Sequence, residues 1–176
     1  MTRKAARHIL PVAQIHGTTT MHHCLTACLL LIAAPALAQD QPAFLDDRSS
    51  AAQVIRSLYN AIDRKEYLRG WSYFAEGGAA PYPEFRDGYA ATQSVELKLG
   101  DIGSEGAAGS LHYTVPVAIR ATDATGERSV FTGCYRLTQV QPAVQDTPPY
   151  RPIQIDSGTF AKDDTPFDQA MGTCKD

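Results

Sequence analysis

AAQVIRSLYNAIDRKEYLRGWSYF, residues 51–74, repeats its apolar side chains at the period of an α-helix. Val54, Ile55, Leu58, Ala61 and Ile62 fall at i, i+1, i+4, i+7 and i+8, which makes one apolar stripe. Asp46, Asp47, Ser49 and Ser50 stand just upstream and offer oxygens to the free N–H groups of a first turn. Asp63-Arg64-Lys65 is a polar break. Glu66–Phe74 then predicts a second helix with Tyr67, Trp71 and Phe74 on one side, ended by Gly77-Gly78. After a loop holding Pro81 and Pro83, Glu84–Tyr89 predicts a third, short helix.

From Ser94 the period changes to two, because Val95, Leu97 and Leu99 alternate with Glu96 and Lys98. A glycine-rich stretch, Gly103 to Gly109, reads as a turn before a second strand, Ser110–Arg120, whose Leu111, Tyr113, Val115, Val117 and Ile119 share a face. Pro116 cannot donate to a ladder, which points to an edge position or a bulge. Asp123–Glu127 is a hairpin turn into a third strand, Ser129–Thr138. A Pro- and Gln-rich loop from Gln141 to Pro152 precedes the last strand, Ile153–Phe160. Helices first and strands afterwards predict an α+β domain: three N-terminal helices packed on a strongly curved antiparallel sheet of about four strands.

Upstream, Leu25–Ala38 is apolar for about 14 residues, short of the roughly 20 a bilayer-spanning helix needs. It ends in Ala36-Leu37-Ala38 before polar Gln39-Asp40, and Arg3, Lys4 and Arg7 precede it without an acidic residue. That is the layout of a Sec-type secretory leader cleaved between Ala38 and Gln39, with translation from Met1 or from Met21. Leu25-Thr26-Ala27-Cys28 has the look of a lipoprotein box. The apolar core continues past Cys28, however, so lipidation is not expected.

Residues 39–176 hold 13 of the 16 Lys and Arg and all 19 Asp and Glu, a net charge of −6. That sign argues against nucleic acid, where Lys and Arg neutralise phosphate, and against anionic lipid. No further run reaches membrane length. Cys24 and Cys28 belong to the leader, which leaves Cys134 and Cys174, and two cysteines in an exported chain predict a disulfide. The expected compartment is the periplasm or the exterior.

The helix sequence quoted above, YPEFRDGYAATQSVEL (residues 82–97) and the later hairpin resemble the nuclear transport factor 2-like (SnoaL-like) cone-fold superfamily. FRDGYAAT and GAAGSLHYTVPV look more narrowly like an exported bacterial branch of it. The expected organisation is a leader over 1–38, a short linker over 39–48, the cone domain over 49–162 and an acidic tail over 163–176, tethered by the disulfide. The resemblance implies a fold that hosts isomerases, cyclases and binding modules alike, so function must come from the site.

Enzymes of this kind need an acid/base group inside an apolar pocket. Asp156, His112, Tyr113 and Tyr135 are the catalytic candidates, although alternation places His112 opposite Leu111 and Tyr113. Tyr67, Trp71, Phe74, Tyr113, Val115, Phe131 and Tyr135 are the expected pocket or core residues. Beyond residue 38, one histidine and two distant cysteines assemble no metal site, and no cofactor motif is present. The expectation is a module binding a small apolar ligand or a protein partner, with dimerisation through the exposed sheet face compatible. A cofactor-free isomerase or cyclase is the alternative.

Overall fold

The computed structural model describes residues 41–175, so the leader and its cleavage residues Ala36, Ala38 and Gln39 lie outside the described residues. Helix α1, Ala51–Asp63, starts where the Ser50 hydroxyl accepts the Gln53 amide at 3.3 Å. Its stripe of Val54, Ile55, Leu58, Ala61 and Ile62 is fully buried. It closes by bonds from the Lys65 amide to Ile62 O and from the Glu66 amide to Ala61 O, with Lys65 in the left-handed region (φ 61). The Lys65 ammonium then donates to the carbonyls of Thr92 and Gln93, which ties this turn to the first strand.

Helix α2 is Tyr67–Trp71, three residues shorter at its end than the sequence pattern suggests. The backbone at Tyr73 and Ala75 is instead engaged with the last strand, exchanging bonds with Ile155 at 2.9 Å in both directions. A strand partner for those groups ends the helix. Helix α3 is Tyr82–Gly88.

Five antiparallel strands follow among the described residues: β1 Thr92–Leu99, β2 Gly103–Ala107, β3 Ser110–Asp123, β4 Arg128–Val140 and β5 Gln154–Asp163. The order is β1-β3-β4-β5, with β2 beside the first half of β3. The glycine-rich segment expected to be a turn is therefore a strand, and the sheet has five strands rather than four. Period-two reasoning misses β2 because all five of its residues are exposed and it pairs through its backbone alone.

Pro116 lies inside β3. Its carbonyl accepts from the Gly100 amide. Its nitrogen therefore faces the same side, at the gap between the end of β1 and the start of β2, where no ladder bond is lost.

Val115, Val117, Ile119, Tyr135, Leu137 and Ile155 point from the sheet into α1 and form the core. A bulge in β5 between its partners Arg136 and Leu137 leaves Asp156 without a register partner. This extra residue flips the alternation, so Ile153 and Ile155 face inward before it and Phe160 after it.

The chain after β5 crosses the opposite face of the sheet. Lys98 donates to the carbonyls of Phe167 and Asp168, and the Gly172 amide donates to Val117 O at 3.1 Å. Gly172 rests directly on the Gly133 backbone, where a Cβ has no room. The Cys134–Cys174 disulfide, with Cα atoms 5.1 Å apart, pins the end of this strap. Among the described residues no helix is long and apolar enough to cross a membrane.

Candidate ligand cavity

The helices cover the sheet unevenly. Toward Leu137 and Ile155 the space is filled by α1 and the fully buried Tyr73. Toward the β3–β4 turn a cavity of about 500 Å³ remains. Tyr59 from α1 and Phe85 and Tyr89 from α3 and its C-terminal cap form its helical wall. Val95, Ile119, Phe131 and Phe160 form its sheet wall. The lining residues Ala80, Glu84 and Gly88 are exposed and so mark its mouth.

Local sequence places these groups. Phe85 and Tyr89 are four residues apart and meet edge to face at 5.1 Å, while Phe85 also meets Phe74 at 5.8 Å. Tyr59 follows Ile55 by four residues and so lies at the margin of the apolar stripe. Its hydroxyl stands 2.7 Å from that of Tyr135, and the Tyr135 ring packs edge to face on Phe160 at 5.0 Å. Burial pushes the Tyr59 phenol well above its ordinary value, and the nearby Tyr135 adds to this. Burial does the same to Tyr135, and it raises Tyr89. These phenols stay protonated at neutral pH. Their mutual bond uses one of the two hydroxyl protons of the Tyr59–Tyr135 pair and leaves the other for a further acceptor.

The expected residues are placed as follows. Phe131 lines the cavity, and Tyr135 lies behind it through Tyr59. Val115 is fully buried core, and Tyr113 donates to Gln139 Oε1 at 2.8 Å beside that core. Phe74 packs behind Phe85. Tyr67 donates to Tyr89 O at 3.4 Å, and the exposed Trp71 indole donates to Ala80 O. Tyr59, Phe85, Tyr89 and Phe160 were not among the expected lining residues. The signals for three of them were the i, i+4 spacings Ile55–Tyr59 and Phe85–Tyr89.

His112 and Asp156 lie on the outer face of the sheet, and cross-strand register brings them together. Thr138 Oγ1 donates to Asp156 Oδ2 at 2.6 Å and stands 3.0 Å from His112 Nδ1. With its only proton on Asp156, the Thr138 oxygen accepts from His112, which assigns the imidazole proton to Nδ1. The sheet separates this chain of groups from the cavity, so neither residue serves as an acid or base for a molecule held there. Among the described residues no group of three or more His, Cys, Asp and Glu side chains is placed to hold a metal.

No protein-family model and no curated protein matches the chain. Solved structures similar to it include Aln2 from a Streptomyces species, with 15% identity, TM-score 0.45, and 64% of this chain and 88% of that one covered. Another is a nuclear transport factor 2-like superfamily protein from Salmonella enterica serovar Typhimurium, with 11% identity, TM-score 0.47, and 65% and 89% covered. A third is the C. albicans Mtr2–Mex67 M domain complex, with 12% identity, TM-score 0.43, and 65% and 94% covered. The chain's own elements, a helix pair and a short third helix laid over a five-stranded antiparallel sheet, have the α+β layout that the resemblance to the nuclear transport factor 2-like (SnoaL-like) cone implies.

Proposed function

We propose that this protein is an exported, non-enzymatic cone-fold module that takes up a small apolar ligand. The observation that carries the reading is the cavity of about 500 Å³ between α1, α3 and the sheet. Concave apolar sites of this size with few polar groups are the usual form of small-molecule sites. The titratable groups lining it are Tyr59 and Tyr89, whose phenols are held protonated, and Glu84 at its mouth. Export is supported by the leader-like residues 1–38 and by the disulfide that the compartment would preserve.

The uncharged dye N-phenyl-1-naphthylamine, which brightens in apolar surroundings, tests the cavity. Bright, saturable binding by the protein is expected. Loss of that binding in Phe131→Trp, a variant that fills the cavity, is the second half of the expectation. No saturable binding, or equal binding by the filled variant with an unchanged melting temperature, overturns the reading.

The buried Tyr59–Tyr135 pair favours a second reading, a cofactor-free isomerase or cyclase, because its spare proton can stabilise an oxyanion. In that case Glu84 is the carboxylate available as base at the cavity.

A further inference from the structure

Five of the rings around the cavity, Tyr59, Phe85, Tyr89, Phe131 and Phe160, come from four different parts of the fold: α1, the α3 segment, β4 and β5. None of its described lining residues is Lys, Arg or His, and its one carboxylate is Glu84. We propose that the cavity is an aromatic cage for an organic cation, a quaternary ammonium carried on a small apolar body, with Glu84 as the counter-charge at the mouth. The inference rests on the cavity being the ligand site and adds the sign of the ligand's charge.

Three physical points converge. The negative faces of aromatic rings attract a cation, and more strongly where water is excluded. The edge-to-face packing of Phe85 on Tyr89, and of Phe160 on Tyr135, fixes ring planes before any ligand arrives. A cation in this cavity also meets no positive side chain, whereas an anion would face both the ring quadrupoles and Glu84. A quaternary ammonium suits the site better than a primary one. Its charge is spread over methyl groups and it is weakly hydrated, so its removal from water costs less than removal of an NH3+ group. The excess of 19 Asp and Glu over 13 Lys and Arg in residues 39–176 draws cations toward the molecule as a whole.

NMR titrations of the disulfide-intact protein compare three probes of similar size: phenyltrimethylammonium, its uncharged isostere tert-butylbenzene, and benzoate. The cation is expected to bind roughly ten-fold more tightly than tert-butylbenzene, with benzoate weakest. Glu84→Gln is expected to weaken the cation about two- to five-fold while leaving tert-butylbenzene unchanged. Phe131→Leu keeps apolar volume but removes a ring, so it should narrow the preference for the cation. If tert-butylbenzene or benzoate binds the protein as tightly as the cation, or if both variants leave the preference intact, the cage is overturned and the apolar cavity stands. If none of the three binds, the cavity reading falls with it.

Discussion

Ala108 and Gly109 link β2 to β3 with φ values of 46 and 84, the left-handed pair that a two-residue hairpin turn demands. Glycine takes that conformation freely. Alanine is strained there, because its Cβ crowds the carbonyl. Ala108→Gly or Ala108→Asn should therefore stabilise the protein by about 0.5–1 kcal/mol, read as a higher urea midpoint with an unchanged slope. At the buried tyrosine pair the balance runs the other way. Tyr135→Phe leaves the Tyr59 hydroxyl without its partner and should cost about 1–3 kcal/mol. The Tyr59→Phe/Tyr135→Phe double variant should cost less than the two single changes added together, because no orphaned hydroxyl remains.

The same pair sets an alkaline limit. Folded, both phenols ionise well above the 10.0 they regain on unfolding. The native state thus holds protons that the unfolded chain releases above about pH 10. Their contribution is complete below pH 10 and is lost as pH rises from there toward the folded-state values. Urea melts between pH 8 and 11 should show a falling midpoint above pH 10, and a shallower fall in the double Phe variant. Tyr73 and Tyr89, also raised by burial, keep a residual slope.

Among the elements, the C-terminal strap is the least expected from pattern alone. It has no apolar periodicity, yet it buries Ala118 and Ala170 and places Phe167 under the Arg120 guanidinium at 4.7 Å. Two glycines make the crossing possible. Gly172 lies where a Cβ would collide with the Gly133 backbone, and Gly133 gives its own inner side to the Phe160 ring. Cys174→Ser should cost about 2–4 kcal/mol and free the Cys134 thiol for alkylation. Gly172→Ala should cost about 1–3 kcal/mol and speed reduction of the disulfide, because the strap must lift. An alanine variant as stable and as slowly reduced as the parent would show that the strap does not sit on Gly133. Because the strap covers Pro116, Ala118 and Cys134 and its Lys175 carbonyl takes the Arg136 guanidinium, any dimer using the sheet face must employ what it leaves free, the polar surface around His112 and Asp156.

For the whole molecule, export predicts that protein recovered outside the cytoplasm begins at Gln39. N-terminal sequencing checks this, and a full-length chain confined to the cytoplasm would contradict it. The order of the three helices and of β1, β3, β4 and β5 was legible in the sequence, because apolar spacing is a local property that burial on one face imposes directly. The α1 stripe, the alternation of β1 and β3, and the hairpin at Asp123–Glu127 all belong to that class. The disulfide was legible too, since only two cysteines remain beyond residue 38. β2 was not, because an exposed glycine-rich strand carries no alternation. The early end of α2 was not either, since it depends on a partner some 80 residues away.

Spacing along the chain thus sufficed for the fold class, the cysteine pair and the outward placement of His112. Which side chains line the cavity depended on the folded arrangement. Tyr59, Phe85, Tyr89, Phe131 and Phe160 meet there because strand register, the β5 bulge and the placement of α3 bring distant faces together. Asp156 faces away from the pocket, as its alternation with Ile155 implies, and accepts a hydrogen bond from Thr138. One inserted residue in β5 changes which face every later side chain takes, and no local pattern records where that residue falls.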